Sequence, residues 1–73
     1  MIDALPIDVR QILDRMPAVT DEVEVVWVQG LAACCTDVCK AMLQGNPSRA
    51  REVASRLAAA SIRLVEYLNQ DWP

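Results

Sequence analysis

Residues 44–47, Gln44-Gly45-Asn46-Pro47, decide the fold, because they end one helix and begin another within about two residues. Glycine is favoured where a helix ends in the left-handed conformation. Asparagine is favoured as a helix N-cap, and proline at the first helical position has no intrahelical N–H to lose. The stretch therefore predicts two long antiparallel helices joined by a turn at residues 45–46.

Apolar residues after the turn follow helical spacing over residues 47–70. They form two seams, each stepping by three and four residues. One seam contains Ala50, Val53, Leu57, Ala60, Leu64 and Tyr67, and the other contains Ala54, Leu57, Ser61, Leu64 and Leu68. A helix with two such seams needs apolar contacts on more than one side.

The stretch before the turn gives two conflicting signals. Residues 22–28 are rich in β-branched valine, which is typical of a strand, but no second segment of this kind is available to pair with it. Two helical seams run through the same region: Trp27, Leu31, Cys34, Val38 and Ala41, and Val28, Leu31, Cys35, Val38 and Met42. We predict one helix over residues 21–44, with Thr20 or Asp21 as its cap and Asp21 and Glu24 as a capping-box pair.

A short amphipathic helix is predicted over residues 6–16. It begins near Pro6 and is ended by Pro17. A helix of this length is marginal alone, so it must dock on the rest of the chain. The predicted fold class is all-α, a short N-terminal helix plus a long antiparallel αα-hairpin, in a single domain over residues 1–73.

The chain is short and apolar for a protein that folds alone. It has 73 residues, of which 53% are hydrophobic, and a domain near this size has marginal stability. Val25, Val26 and Leu43 also lie outside the main stripe of the second helix. Two paired hairpins would form a four-helix bundle and bury the second seam of each long helix. We therefore expect a homodimer or a higher homo-oligomer.

Charge and cysteine content argue against several classes of protein. The net charge is −3, which works against binding to nucleic acid or an anionic membrane. An odd number of cysteines within residues 34–39 does not make the disulfide framework of a small secreted protein. The first residues do not resemble a signal peptide, and the most apolar stretch, residues 25–35, is shorter than the roughly 18 residues of a membrane span. We expect a cytoplasmic protein that contacts neither membrane nor nucleic acid.

Few residues are suited to catalysis or metal binding. The chain has no histidine, which removes most acid–base and nucleophilic schemes. Cys34, Cys35 and Cys39 are expected to be small buried hydrophobic residues. The alternative is a metal site shared by two copies, each supplying Cys35 and Cys39, because a structural zinc ion needs four ligands. We predict no enzymatic activity, no metal and no cofactor.

The leading functional hypothesis is protein–protein interaction without catalysis. The protein would act on a larger protein as a small inhibitor, anti-activator, immunity-type protein or assembly chaperone. Acidic residues within 21–24 would steer it toward a basic partner surface. Trp72 is a candidate anchor, or packs back near Tyr67. The predicted partner-binding residues are Val9, Ile12, Val23, Val25, Val26, Trp27 and Trp72.

Two alternatives depend on the arginines of the last helix. Arg49, Arg56 and Arg63 repeat every seven residues and form a basic line. They are the candidate ligand-binding residues for a small anionic, nucleotide-type ligand at an oligomer junction. In a dimer the lines could also track phosphates, in an architecture like the Rop type of RNA-binding bundle, but Glu52 and Glu66 interrupt them. A solvated face with internal ion pairs is the simplest interpretation.

Overall fold

The computed structural model describes residues 5–71, which form three α-helices and, within that range, no β-strand. Helix α1 spans Ile7–Arg15, α2 spans Glu24–Leu43 and α3 spans Pro47–Asp71. The predicted all-helical fold class is confirmed. The valine-rich stretch is helical from Glu24 onward, because strand propensity depends strongly on context and the described residues offer no strand to pair with it.

The turn between α2 and α3 satisfies the backbone of both helices. Gly45 has a φ of 69°, and its N–H donates to the carbonyl of Met42 at 3.1 Å. The N–H of Asn46 donates to the carbonyl of Ala41 at 2.9 Å, which completes a Schellman motif. The Asn46 side chain then accepts a hydrogen bond from the N–H of Arg49 at 3.1 Å. Asn46 thus closes α2 and caps α3 at the same time.

Helix α3 is central, because α1 and α2 both pack on it while making no contact with each other. The hydroxyl of Tyr67, near the end of α3, bonds to Asp21 and Glu24 at the start of α2, so these two helices run in opposite directions. Asp8 near the start of α1 pairs with Arg51 near the start of α3, and Leu13 near the end of α1 accepts a hydrogen bond from Arg63 further along α3, so the two helices run in the same general direction.

The core is small and divided between two sides of α3. Val9 and Leu13 of α1 pack with Ala59 of α3 on one side. Ala41, Val53 and Tyr67 are buried in the rest of the protein, together with Val19 of the connecting loop. Among the described residues, no large side chain is fully buried. Each side of α3 therefore holds its neighbour with little apolar burial.

Helix α2 contacts α3 through the first of its two predicted seams. Along that seam Trp27, Leu31, Cys34 and Val38 are half-buried and Ala41 is buried. The second seam is exposed wherever it departs from the first, at Val28, Cys35 and Met42.

The start of α2 differs from the prediction. The helix begins at Glu24, three residues later than expected, and Val23 is its N-cap without a side-chain hydrogen bond. Asp21 and Glu24 do not form a capping box. Their carboxylates instead accept hydrogen bonds from Tyr67 of α3, a contact that sequence spacing alone does not reveal.

The two glycines should respond in opposite ways to replacement by alanine. A Cβ at either position would meet nothing within 4 Å, so steric clashes do not decide the outcome. Gly45→Ala places a side chain in the left-handed region and should destabilise the protein by about 1–2 kcal/mol. Gly30→Ala lies inside α2 and should stabilise it by about 1 kcal/mol. Urea unfolding of the three proteins measures both changes, and a shift in the same direction for both would contradict this account of the turn.

Candidate interaction surface

Helix α2 carries much of the exposed apolar surface of the protein. Only one of its 20 residues, Ala41, is buried. Its exposed large apolar side chains range from 52% exposed for Val28 to 89% exposed for Leu43. Helix α3 covers one side of α2 and α1 covers none of it, so the remaining sides face outward.

One exposed apolar cluster lies at the acidic end of α2, which we define as residues 21–26. Val25 and Val26 are 67% and 65% exposed, and Val23 is 36% exposed. The carboxylate residues Asp21, Glu22 and Glu24 interleave with them and are exposed as well. The result is a small apolar patch surrounded by negative charge.

Tyr67 connects the acidic end of α2 to the centre of the protein. It is 7% exposed, and its hydroxyl bonds to the carboxylates of Asp21 and Glu24, the latter at 3.2 Å. The hydrogen bond to Asp21, burial of the ring and the negative charge of both carboxylates raise the pKa of Tyr67 well above its ordinary value of 10.0. The apolar seam that contains Tyr67 in the sequence gives no indication of these hydrogen bonds. In an antiparallel pair of helices joined at residues 45–46, Tyr67 lies beside residues 21–24, and this position was the signal that could have predicted the contact.

The predicted partner-binding residues do not form one surface. Trp27 is half-buried. Val9 is buried and Ile12 is partly buried between α1 and α3, away from the valines, because α1 docks on α3 and not on α2. Trp72 lies outside the described residues. Among the described members of the set, Val23, Val25 and Val26 lie together in the exposed cluster, while Val9 and Ile12 lie in the contact between α1 and α3.

The arginines of the basic line are matched by acceptors within the chain. Arg49 and Arg56 both pair with Glu52, at 3.7 Å and 2.9 Å. Arg63 pairs with Glu66 at 2.8 Å and donates to the carbonyl of Leu13 at 2.8 Å. That carbonyl belongs to the last turn of α1, so Arg63 ties α1 to α3. An anionic ligand on this line would have to displace these contacts.

The cysteines occupy two different environments. Cys34 is half-buried, while Cys35 and Cys39 are exposed. The prediction that all three are buried is wrong for the latter two in the single chain, because α3 covers only the side of α2 that carries Cys34. Within the described residues, no group of three or more potential metal ligands lies together.

A second apolar surface spans both long helices, and we call it the open face. Around the axis of each helix, in the sense in which the chain winds, the open face comes about a quarter turn after the side that contacts the other long helix. Because the two helices run in opposite directions, these offsets lead to the same side of the pair. The residues of the open face are exposed or half-buried and none is charged: Val28, Ala32, Cys35, Cys39 and Met42 on α2, and Ala54, Leu57, Ser61, Val65 and Leu68 on α3.

Helix α2 also has the length and composition of a membrane-spanning helix, with 20 residues and a mean hydropathy of 1.2. The helix is longer than residues 25–35, the apolar stretch that is too short for a membrane span. Core helices of soluble proteins and signal sequences meet the same criterion. Asp37 and Lys40 lie within α2, and the side that bears Cys34 and Ala41 packs on α3 rather than facing outward.

The grooves between α1 and α3 are shallow and open to solvent. One of them is lined by residues of both helices, among them Ile12 and Ser55. An ion pair between Asp8 and Arg51, at 3.6 Å, connects the two helices there. This groove does not enclose a substrate away from water.

Comparison with known proteins identifies no relative of this chain. No family model, no curated protein and no solved structure matches it. We therefore infer the function from the surfaces described above.

The free energy of unfolding should depend less on pH under alkaline conditions in the Tyr67→Phe variant than in the wild type. The raised pKa of Tyr67 means that the folded chain keeps the phenolic proton at pH values where the unfolded chain loses it. The stabilisation is therefore fully present below the ordinary value of 10.0 and decreases as the pH rises above it. Thermal unfolding from about pH 8 to about pH 11 should show a steeper decrease for the wild type than for the variant. Parallel curves would show that the hydroxyl is not held by the two carboxylates.

Proposed function

We propose that this protein acts without catalysis, by binding a larger protein through the acidic end of α2. In this role it would be a small inhibitor, anti-activator, immunity-type protein or assembly chaperone. The observation that carries the proposal is the exposure of Val23, Val25 and Val26 among three carboxylates. Val25 and Val26 keep about two thirds of their surface exposed, and Val23 about one third.

The apolar part of the surface is suited to a groove on the partner. Burying a whole valine side chain contributes roughly 1.5 kcal/mol or more, and Val25 and Val26 retain about two thirds of their surface for such burial. The residues are already held in a helix, so little conformational entropy is lost on binding. This is the mode in which one face of a helix enters an apolar groove.

The charged part of the surface selects the partner. Asp21, Glu22 and Glu24 give this end of the molecule a local negative charge, in a chain whose net charge is −3. Such a cluster accelerates association with a basic surface and disfavours an acidic one. Tyr67 fixes the positions of two of the carboxylates. The partner that fits is therefore a protein with an apolar groove bordered by lysine or arginine.

The alternative of an anionic ligand has less support. Arg49 forms an ion pair with Glu52, and Arg56 and Arg63 donate hydrogen bonds to acceptors within the chain. A nucleotide or an RNA phosphate would have to compete with Glu52 and Glu66 for them.

Val26→Glu should remove partner binding, and Leu43→Glu is the matched control. Both side chains are exposed on α2, at 65% and 89%, so neither substitution disturbs the packing on α3. A carboxylate at position 26 would be buried in the apolar part of the partner's groove, away from its basic border, and should weaken binding at least about tenfold. Affinity capture from an extract of the protein's own cells, followed by titration of the purified partner, compares the three baits.

The charge requirement is tested with the same purified partner. Glu22→Lys should slow association, and raising the salt concentration should slow the wild type more than this variant. A partner retained equally by the Val26→Glu and Leu43→Glu baits, or one with an acidic contact surface, would exclude the acidic end of α2 as the binding site.

A further inference from the structure

We infer that the open face is covered by the open face of a second copy of this chain, packed antiparallel to the first as a four-helix bundle. This inference goes beyond the proposed function, because the acidic end of α2 lies outside the ten residues of the open face. The two surfaces can be altered separately.

The spacing and composition of the open face match those of a helix–helix contact. On α2 its residues step by four and three in alternation, from Val28 to Met42. On α3 they step by three and four, from Ala54 to Leu68. This is the spacing with which side chains of one helix enter the spaces between side chains of another. The absence of charge among the ten residues means that self-association buries no unpaired ion.

The size of the face is sufficient for a specific dimer. Its length is about 25 Å and its width, across two helices, is about 20 Å. Each copy thus contributes about 500 Å² in projection, and corrugation of the surface increases the accessible area. The total reaches the roughly 1,000 Å² that a specific interface should exceed.

The distribution of large and small residues favours an antiparallel arrangement. Cys39 and Ala54 lie at about the same level near the turn, and both are small. Val28 and Val65 lie at about the same level near the other end, and both are larger. In an antiparallel dimer, Val28 and Val65 of one copy lie against the smaller Cys39 and Ala54 of the other copy. This pairing keeps the distance between the helices uniform.

The middle and the ends of the face are complementary in the same way. Near the middle, the level of Cys35 and Leu57 would meet the level of Ala32 and Ser61. A parallel partner would instead set Ala32 and Ser61 against themselves and leave a cavity there. At the ends, Met42 of one copy would lie near Leu68 of the other.

The antiparallel arrangement has a specific consequence for Cys35. Taken over both helices, the middle of the open face falls between the level of Ala32 and Ser61 and the level of Cys35 and Leu57. A two-fold axis through this point sets α2 against α2 of the second copy and brings the two Cys35 thiols close together. In a parallel arrangement α2 would face α3 of the second copy, and the two thiols would lie on a diagonal of the bundle.

Sedimentation equilibrium of the full chain at micromolar to sub-millimolar concentration tests the dimer. We expect twice the chain mass of 8.1 kDa for the wild type. Val28→Glu and Val65→Glu, at positions 52% and 55% exposed in the single chain, should each give the monomer mass with helical circular dichroism retained. Val26→Glu is the matched control, because Val26 is 65% exposed on the opposite side of α2, and it should remain a dimer. A monomeric wild type overturns the inference even if every variant were to unfold.

Oxidation tests the arrangement. A chain that keeps Cys35 and carries Cys34→Ala and Cys39→Ala should form a disulfide-linked dimer with oxidised glutathione, whereas a chain that keeps only Cys39 should form much less. A dimer by mass without this cross-link overturns the antiparallel arrangement. A monomer that floats with lipid vesicles would show that a membrane, and not a second copy, covers the face. Loss of partner capture with Val26→Glu is unaffected by either result, so the proposed function and this inference can fail independently.

Discussion

The structure depends on the use of α3 as a contact surface on two sides. Helix α1 packs on one side and α2 on another, and the two outer helices do not contact each other. A helix in the middle of such an arrangement can be covered well, but a helix at its edge cannot. Helix α2 is at the edge and is nevertheless the most apolar of the three. Its exposed valines, cysteines and methionine follow from that mismatch between sequence and position.

Local signals in the sequence predicted what local interactions determine. The turn at Gly45 and Asn46, the two seams of each long helix and the choice of helix over strand depend on residues close in the chain. Long-range contacts were not predictable in this way. Nothing in the spacing of α1 indicates that it docks on α3 and leaves Val25 and Val26 uncovered. The hydrogen bonds of Tyr67 join residues 43 and 46 positions apart, and they replaced the expected capping box because two chain segments meet there.

The charges of the protein are organised by the same arrangement. The arginines of α3 lie where glutamates one helical turn away, or the end of α1, can accept their hydrogen bonds. The positive charge of α3 is thus matched by acceptors inside the molecule. The carboxylates at the start of α2 have a tyrosine hydroxyl as their described partner, which leaves their negative charge uncompensated. A chain with a small net charge therefore presents one distinctly acidic end.

The short connection between α2 and α3 also has a bearing on domain swapping. If the turn opened, α2 and α3 would become one long helix, and two chains could exchange their arms. Pro47 would then lie in the interior of that helix, where it removes a backbone hydrogen bond and costs about 3 kcal/mol. Gly45 would add about 1 kcal/mol, and the hydrogen bonds that Asn46 makes to both helices would be lost. The residues that form the turn therefore also oppose the exchanged dimer and favour α2 and α3 paired within one chain.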